Sequence, residues 1–173
     1  LWMLCSPNEG AAALVVEAAA AGSAAGAVRV AGISLRSHLP GSVLGEHTPM
    51  CGLLDDDLPA PTELAARAAY DEAGIGPEDV DVAEVQDTDA ARELLAYEEL
   101  GFCDRGGAGE WFAAGHSLPA GRLPVNTSGG LLSKGEPLGA SALGHVVELT
   151  RQLRGEAGPR QVDGARVALA HNV

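Results

Sequence analysis

Several absences set the first limits. Aromatic residues make up 3% of the sequence, and Lys134 is its single lysine. A core with so few rings is expected to be Ala, Val and Leu packed closely. No apolar run reaches the roughly 18 residues of a membrane span. No basic patch precedes the first apolar stretch, so no secretory signal is expected. Eleven Lys plus Arg stand against 24 Asp plus Glu, a net charge of −13. Nucleic acids and anionic membranes need clustered cations that release phosphate counterions. Neither is therefore expected as a partner, and a solvated acidic surface is. Cys5, Cys51 and Cys103 share no CxxC spacing, which argues against a zinc ribbon or a disulfide framework and for a reducing, cytoplasmic setting. His38, His47, His116, His145 and His171 are dispersed with no HExxH pair, so no metal site is expected. His145 reads as a satisfied core or rim residue.

What remains is a chain of 173 residues, 46% hydrophobic. That length suits one domain or one and a half, able to bury roughly 70% of its unfolded surface. Both ends lie in apolar runs, as if cut from something longer. Residues 9–21 could be helix or strand. Residues 28–35, VRVAGISL, read as a strand. Residues 36–60 carry Gly, Pro and three consecutive aspartates, the composition of a loop or lid. A helix is predicted from Pro61 to Gly74 with Leu64, Ala65, Ala68 and Ala69 on one face. A short strand is predicted near 80–86, and a helix over 88–100 that uses Ala91, Leu94, Leu95 and Tyr97. Residues 103–137 are glycine-rich and irregular. A helix over 138–154 is predicted to point Leu143, Val146, Val147 and Leu153 inward, and ARVALA at 165–170 reads as a buried strand. Strands alternating with helices argue for an α/β class.

Two stretches are candidates for chemistry. Asn126 to Gly139 reads NTSGGLLSKGEPLG, a glycine loop running into a helix. Such a loop is either a ligand cradle, with close backbone approach and free N–H groups, or a tight structural turn. Gly130 and Gly135 have P-loop spacing, but Glu136-Pro137 stand where that motif needs Lys and Ser/Thr. Glu84 to Asp89, EVQDTD, sits where a strand ends and a helix begins, the end of an α/β sheet that carries ligands. Capping explains Asp87 or Thr88 as N-cap of the 88–100 helix; Gln86 has less structural excuse. Cys103, with no neighbouring His or Lys, reads as a small buried thiol.

These residues resemble a family. NTSGGLLSKGEPLGASALGHVVELTRQLRGEAGPRQVDGARVALAHNV resembles the C-terminal half of the thiolase superfamily, of the sterol-carrier or lipid-transfer-protein type. The family pattern is N-P-S-G-G-L-I-S-K-G-H-P-L-G-A-T-G, then a helix ending Q-L-R-G-E-A-G, then a strand ending Q-H-N. EDVDVAEVQDTDAARELL resembles its D-V-D-V-I-E-L-H-D-C-F segment, and SPNEGAAALVV resembles the strand that closes its N-terminal half. The resemblance implies a layered mixed sheet with helices, of βαβαβαββ type, with the last strand missing. It implies residues 1–26 as a remnant of the N-terminal half and 27–173 as the C-terminal domain. It implies an acyl-CoA thioester as substrate rather than a resident cofactor, and acyl transfer by Claisen condensation or its reverse.

The nucleophilic cysteine of the family lies in its first half, and none of the three cysteines here matches it. By the same resemblance the GHP histidine is Glu136, the HDCF histidine is Gln86, the HDCF cysteine is Thr88 and the phenylalanine is Asp89. A carboxylate at neutral pH cannot donate to an oxyanion, and a threonine hydroxyl hardly ionises. Gln86 can still donate through its amide. Ordinary thiolase activity is therefore not expected of this chain alone. Two alternatives are a retro-aldolase on steroid or branched acyl-CoA, with an OB-fold and zinc-ribbon partner, and a non-catalytic half that binds acyl-CoA or a partner. Substrate contacts are expected from Asp89, Asn126, Ser128, Gly129, Gly130, Gly135 and Pro137. A homodimer or a separate N-terminal half is expected as partner, and with so few cations here the phosphates of CoA are expected to be met there.

Overall fold

The computed structural model describes residues 3–18, 26–37 and 59–173. His38, His47, Cys51 and nearly all of the expected lid at 36–60 lie outside them. Among the described residues five α-helices and a small parallel sheet form a mixed α/β fold: α1 (Pro61–Ala73), β1 (Val82–Glu84), α2 (Ala90–Glu99), α3 (Ala108–Ala113), α4 (Gly130–Lys134), α5 (Ser141–Arg154) and β2 (Ala168–Ala170). β1 pairs with β2 in parallel, with Val82 opposite Ala168 and Glu84 opposite Ala170. A single parallel bridge from Ala83 to Val125 continues the sheet on the other side. Where a larger mixed sheet was expected, the described residues hold this short parallel one.

Local chemistry explains the elements. Pro61 opens α1, where a missing N–H costs nothing. Gly74, at φ 71°, closes it in the left-handed conformation and returns its N–H to the Tyr70 carbonyl. The buried face of α1 is Thr62, Ala66 and Tyr70, not the Leu64–Ala69 face expected. In α2 the inward residues are Ala96 and Tyr97, while Leu95 is exposed. α5 packs on both strands, and its buried face is Ser141, His145, Glu148, Leu149 and Gln152. Leu143, expected inward, is exposed. The polar face of α5 wins because Glu148 and Gln152 find partners in the following loop. Arg160 donates twice to Glu148, and Gln152 ties Arg160 and Val162.

The expected strand at 28–35 is not one. Its backbone joins no ladder, Val30, Ile33 and Leu35 are exposed, and Gly32 lies against the Ala69 carbonyl of α1. Residues 9–18 are likewise neither helix nor strand, with Val15 98% exposed. β-branched side chains favour a strand only where a neighbouring strand and a core receive them. The core also corrects the composition argument. Tyr70, Tyr97, Phe102 and Trp111 are buried in it. The Tyr97 and Trp111 rings tilt together at 4.7 Å between centroids. α3 and α4 are short helices inside the stretch expected to be irregular.

Candidate functional site

The site forms where β1 ends. Three segments meet there: residues 84–89, the loop 126–137, and the N-terminal residues 3–10. The N-terminal segment is held by backbone hydrogen bonds on both sides. The Cys5 N–H donates to the Thr88 carbonyl (2.8 Å), and the Ala90 N–H donates to Met3 (3.0 Å). On the other flank the Glu136 N–H donates to Ser6 (2.8 Å) and the Asn8 N–H to Glu136 (3.1 Å). Gly135 allows this approach: at φ 80° it is left-handed, and a Cβ there would meet Asn8 and the Ser6 carbonyl within 3 Å.

At the junction, Gln86 Nε2 donates to Glu136 Oε1 at 2.7 Å. The Val173 N–H donates to Gln86 Oε1 at 2.5 Å. The Cys5 thiol lies 3.8 Å from Glu136 Oε2. Gln86 is buried and Glu136 half-buried. Burial pushes the Cys5 thiol above its ordinary range, and the Glu136 carboxylate adds to that. The group therefore offers a carboxylate, an amide and a protonated thiol. It contains no thiolate nucleophile and no imidazole.

The loop is built around two buried carboxylates. Glu84, fully buried on β1, accepts from the Ser128 N–H (2.9 Å) and the Ser128 hydroxyl (2.5 Å). Lys134 donates to the same hydroxyl at 2.6 Å. Asp87, 2% exposed, accepts from the Leu131 N–H (2.7 Å) and the Leu132 N–H (3.2 Å), so it caps α4. A Cβ on Gly130 would stand 2.0 Å from an Asp87 oxygen, which leaves glycine as the residue that fits. Burial raises the pKa of both carboxyls, favouring the neutral form, and the hydrogen bonds oppose it. The cap expected at the start of α2 is neither Asp87 nor Thr88. It is Asp89, whose carboxylate accepts the Arg92 N–H at 2.9 Å. Asn126 takes φ 54° and accepts the Val85 N–H at 2.8 Å, tying the loop to the strand.

Of the expected site residues, Gln86 and Glu136 are therefore in direct contact, while the Thr88 carbonyl accepts the Cys5 N–H. Asn126, Ser128, Gly129, Gly130, Gly135 and Pro137 form the surrounding loop. Cys5 was not expected there. Its contact with Glu136 spans 131 positions, and no local spacing announces it. His145 corrects a second expectation. It is fully buried, and neither ring nitrogen has a hydrogen-bond partner among the described residues. Among the described residues no cluster of three or more His, Cys, Asp or Glu is placed to hold a metal ion, and no helix is long and apolar enough to cross a membrane.

Comparison with known proteins gives a consistent picture. Residues 53–173 match the family described as thiolase C-terminal domain-like. Human sterol carrier protein 2 is 39% identical over 173 residues, 98% of this chain and 31% of that protein. The rat protein of the same name is 52% identical over 109 residues, 63% of this chain and 20% of its own length. The benzoylsuccinyl-CoA thiolase subunit BbsB of Thauera aromatica is 34% identical over 175 residues, 99% of this chain and 43% of that subunit. A solved structure titled Ltp2-ChsH2(DUF35) aldolase superposes with a TM-score of 0.57 at 32% identity, covering 63% of this chain and 28% of that one. The chain spans about a fifth to under half the length of these relatives.

Proposed function

This chain belongs to the thiolase C-terminal domain-like family, and we propose that it handles an acyl-CoA thioester by aldol-type carbon–carbon cleavage rather than by thiolysis. The observation that carries the reading is the fixed Gln86–Glu136 pair: a carboxylate held by an amide where the thiolase resemblance implies two histidines. A carboxylate has no proton to donate to an oxyanion but is a competent general base. On a β-hydroxyacyl thioester, Glu136 takes the hydroxyl proton. The O–H pair becomes the new C=O bond, the Cα–Cβ bond breaks, and its electrons pass to the thioester enolate. Protonation at Cα then gives the shortened thioester, and an aldehyde or ketone leaves. No cysteine nucleophile is required. The likeness to a solved aldolase supports the reading.

Asn126, Ser128, Gly129, Gly130, Gly135 and Pro137 would present loop backbone to the pantetheine end, with Asp89 and Thr88 at the rim. A partner supplies the remaining surface: a separate thiolase N-terminal half, a second copy, or an OB-fold protein. Exposed Val15, Val16, Ile33 and Leu35 support such an apolar contact. The test offers the purified protein, alone and with its co-purifying partner, a β-hydroxyacyl-CoA and a β-ketoacyl-CoA. The expected result is carbonyl release from the first and no CoA-dependent thiolysis of the second, with Glu136→Gln slower by about a hundredfold or more, the usual size of a general-base contribution. Full turnover by Glu136→Gln, or thiolysis of the ketoacyl thioester, overturns the reading.

A further inference from the structure

Gln86 stands in a position its sequence context does not explain. It is buried in a stretch whose three carboxylates have clear structural tasks: Glu84 anchors the loop, Asp87 caps α4 and Asp89 caps α2. The Gln86 side chain is engaged at both ends. Its carbonyl oxygen accepts the Val173 N–H just beyond β2, and its amide donates to Glu136 Oε1. The Val173 contact also settles which end of the amide is which, since a backbone N–H requires an oxygen opposite it.

We propose that Gln86 is a positioning residue: clamped by the Val173 N–H, it pins Glu136 through Oε1 and leaves Oε2, the oxygen facing Cys5, as the one that receives protons. This deepens the general-base reading of Glu136 and rests on it for its catalytic meaning. It also reassigns the amide. The thioester-oxygen donor implied by the thiolase resemblance becomes, in this chain, a support for a carboxylate. The Cys5 thiol reports on the arrangement, because it donates to Oε2 and its ionisation is held back by burial and by Glu136.

The experiment follows alkylation of Cys5 by iodoacetamide at fixed pH in the purified protein, resolved from the other cysteines by peptide mass mapping. Thiolate is the reactive form, and each unit in a thiol's acidity changes its amount tenfold. Glu136→Gln is expected to speed Cys5 alkylation about three- to tenfold. Gln86→Met, which keeps the volume and removes both polar ends, is expected to do the same by releasing Glu136. The double variant is expected to be no faster than either single one. A wild-type Cys5 rate in Gln86→Met, beside a faster rate in Glu136→Gln, overturns the positioning role. Should Gln86→Met not fold, side-chain amide exchange of Gln86 by NMR decides the point with Gln86 in place. Slow exchange in the wild type that quickens in Glu136→Ala supports the clamp, and equal exchange refutes it. Full thioester turnover by Glu136→Gln is a separate outcome. It removes the general-base reading while the alkylation result still reports the clamp.

Discussion

Two buried histidines make this fold sensitive to acid. His145 on α5 is fully buried, and His171, just after β2, is 8% exposed with Thr62 Oγ1 at 3.2 Å from its Nε2. Burial, with the charge of Lys134 added, lowers His145 from 6.5 to about 4. Burial, with Arg92 and His145 added, lowers His171 to about 4 as well. Each folded imidazole binds its proton more weakly than the unfolded one. The stability this represents is complete above pH 6.5 and is lost as pH falls through about 4. At about 1.4 kcal/mol per pH unit, one such histidine accounts for about 3 kcal/mol, of which about 2 kcal/mol is gone by pH 5. The raised carboxyls of Glu84 and Asp87 act in the opposite sense, gaining stability as pH falls toward 4. The wild-type slope is therefore a difference, and a variant isolates the histidine. His145→Met keeps the volume and removes the ionisation. Urea unfolding at pH 7 and pH 5, with equal m-values, is expected to show the wild type losing about 2 kcal/mol more than the variant over that interval. Equal losses in the two proteins refute the argument.

The buried acids yield two further predictions. Asp87→Ala strips two N–H groups of α4 of their acceptor and is expected to cost about 3 kcal/mol, at about 1.5 to 3 kcal/mol per bond to a charged group less the carboxylate's own burial cost. Calorimetry then shows a Tm about 6 to 12 °C lower, while an unchanged Tm removes Asp87 from the scaffold. Ser128→Ala takes one donor from the fully buried Glu84 and is expected to lower stability by about 2 kcal/mol in denaturant unfolding. A stability equal to wild type would place Ser128 outside the loop's support.

Much of the site's inventory was legible along the chain. The NTSGGLLSKGEPLG and EVQDTD stretches stood out because glycines in series and a polar run ending a strand are costly without a purpose. Their individual roles were less legible. Asp87 and Thr88 are the N-caps of α2 that one dimension offers. Space assigns Asp89 to α2 and Asp87 to α4, because Gly130 brings the second helix start against Asp87. Periodicity misread α5, since the Glu148, Gln152 and Arg160 network makes the polar face the buried one.

By itself the sequence determined what short-range physics controls: the α/β alternation, the ends of α1 at Pro61 and Gly74, the acidic character, and the family motifs. Only the tertiary structure decided which groups meet. Cys5, Gln86, Glu136 and Val173 come from four separated stretches and converge because β1 and β2 run in parallel and the N-terminal segment lies between Thr88 and Glu136. A parallel pairing joins residues 86 positions apart, such as Val82 with Ala168. Local propensity carries no term for such contacts, and the burial that rewards them exists only once the chain has closed around them.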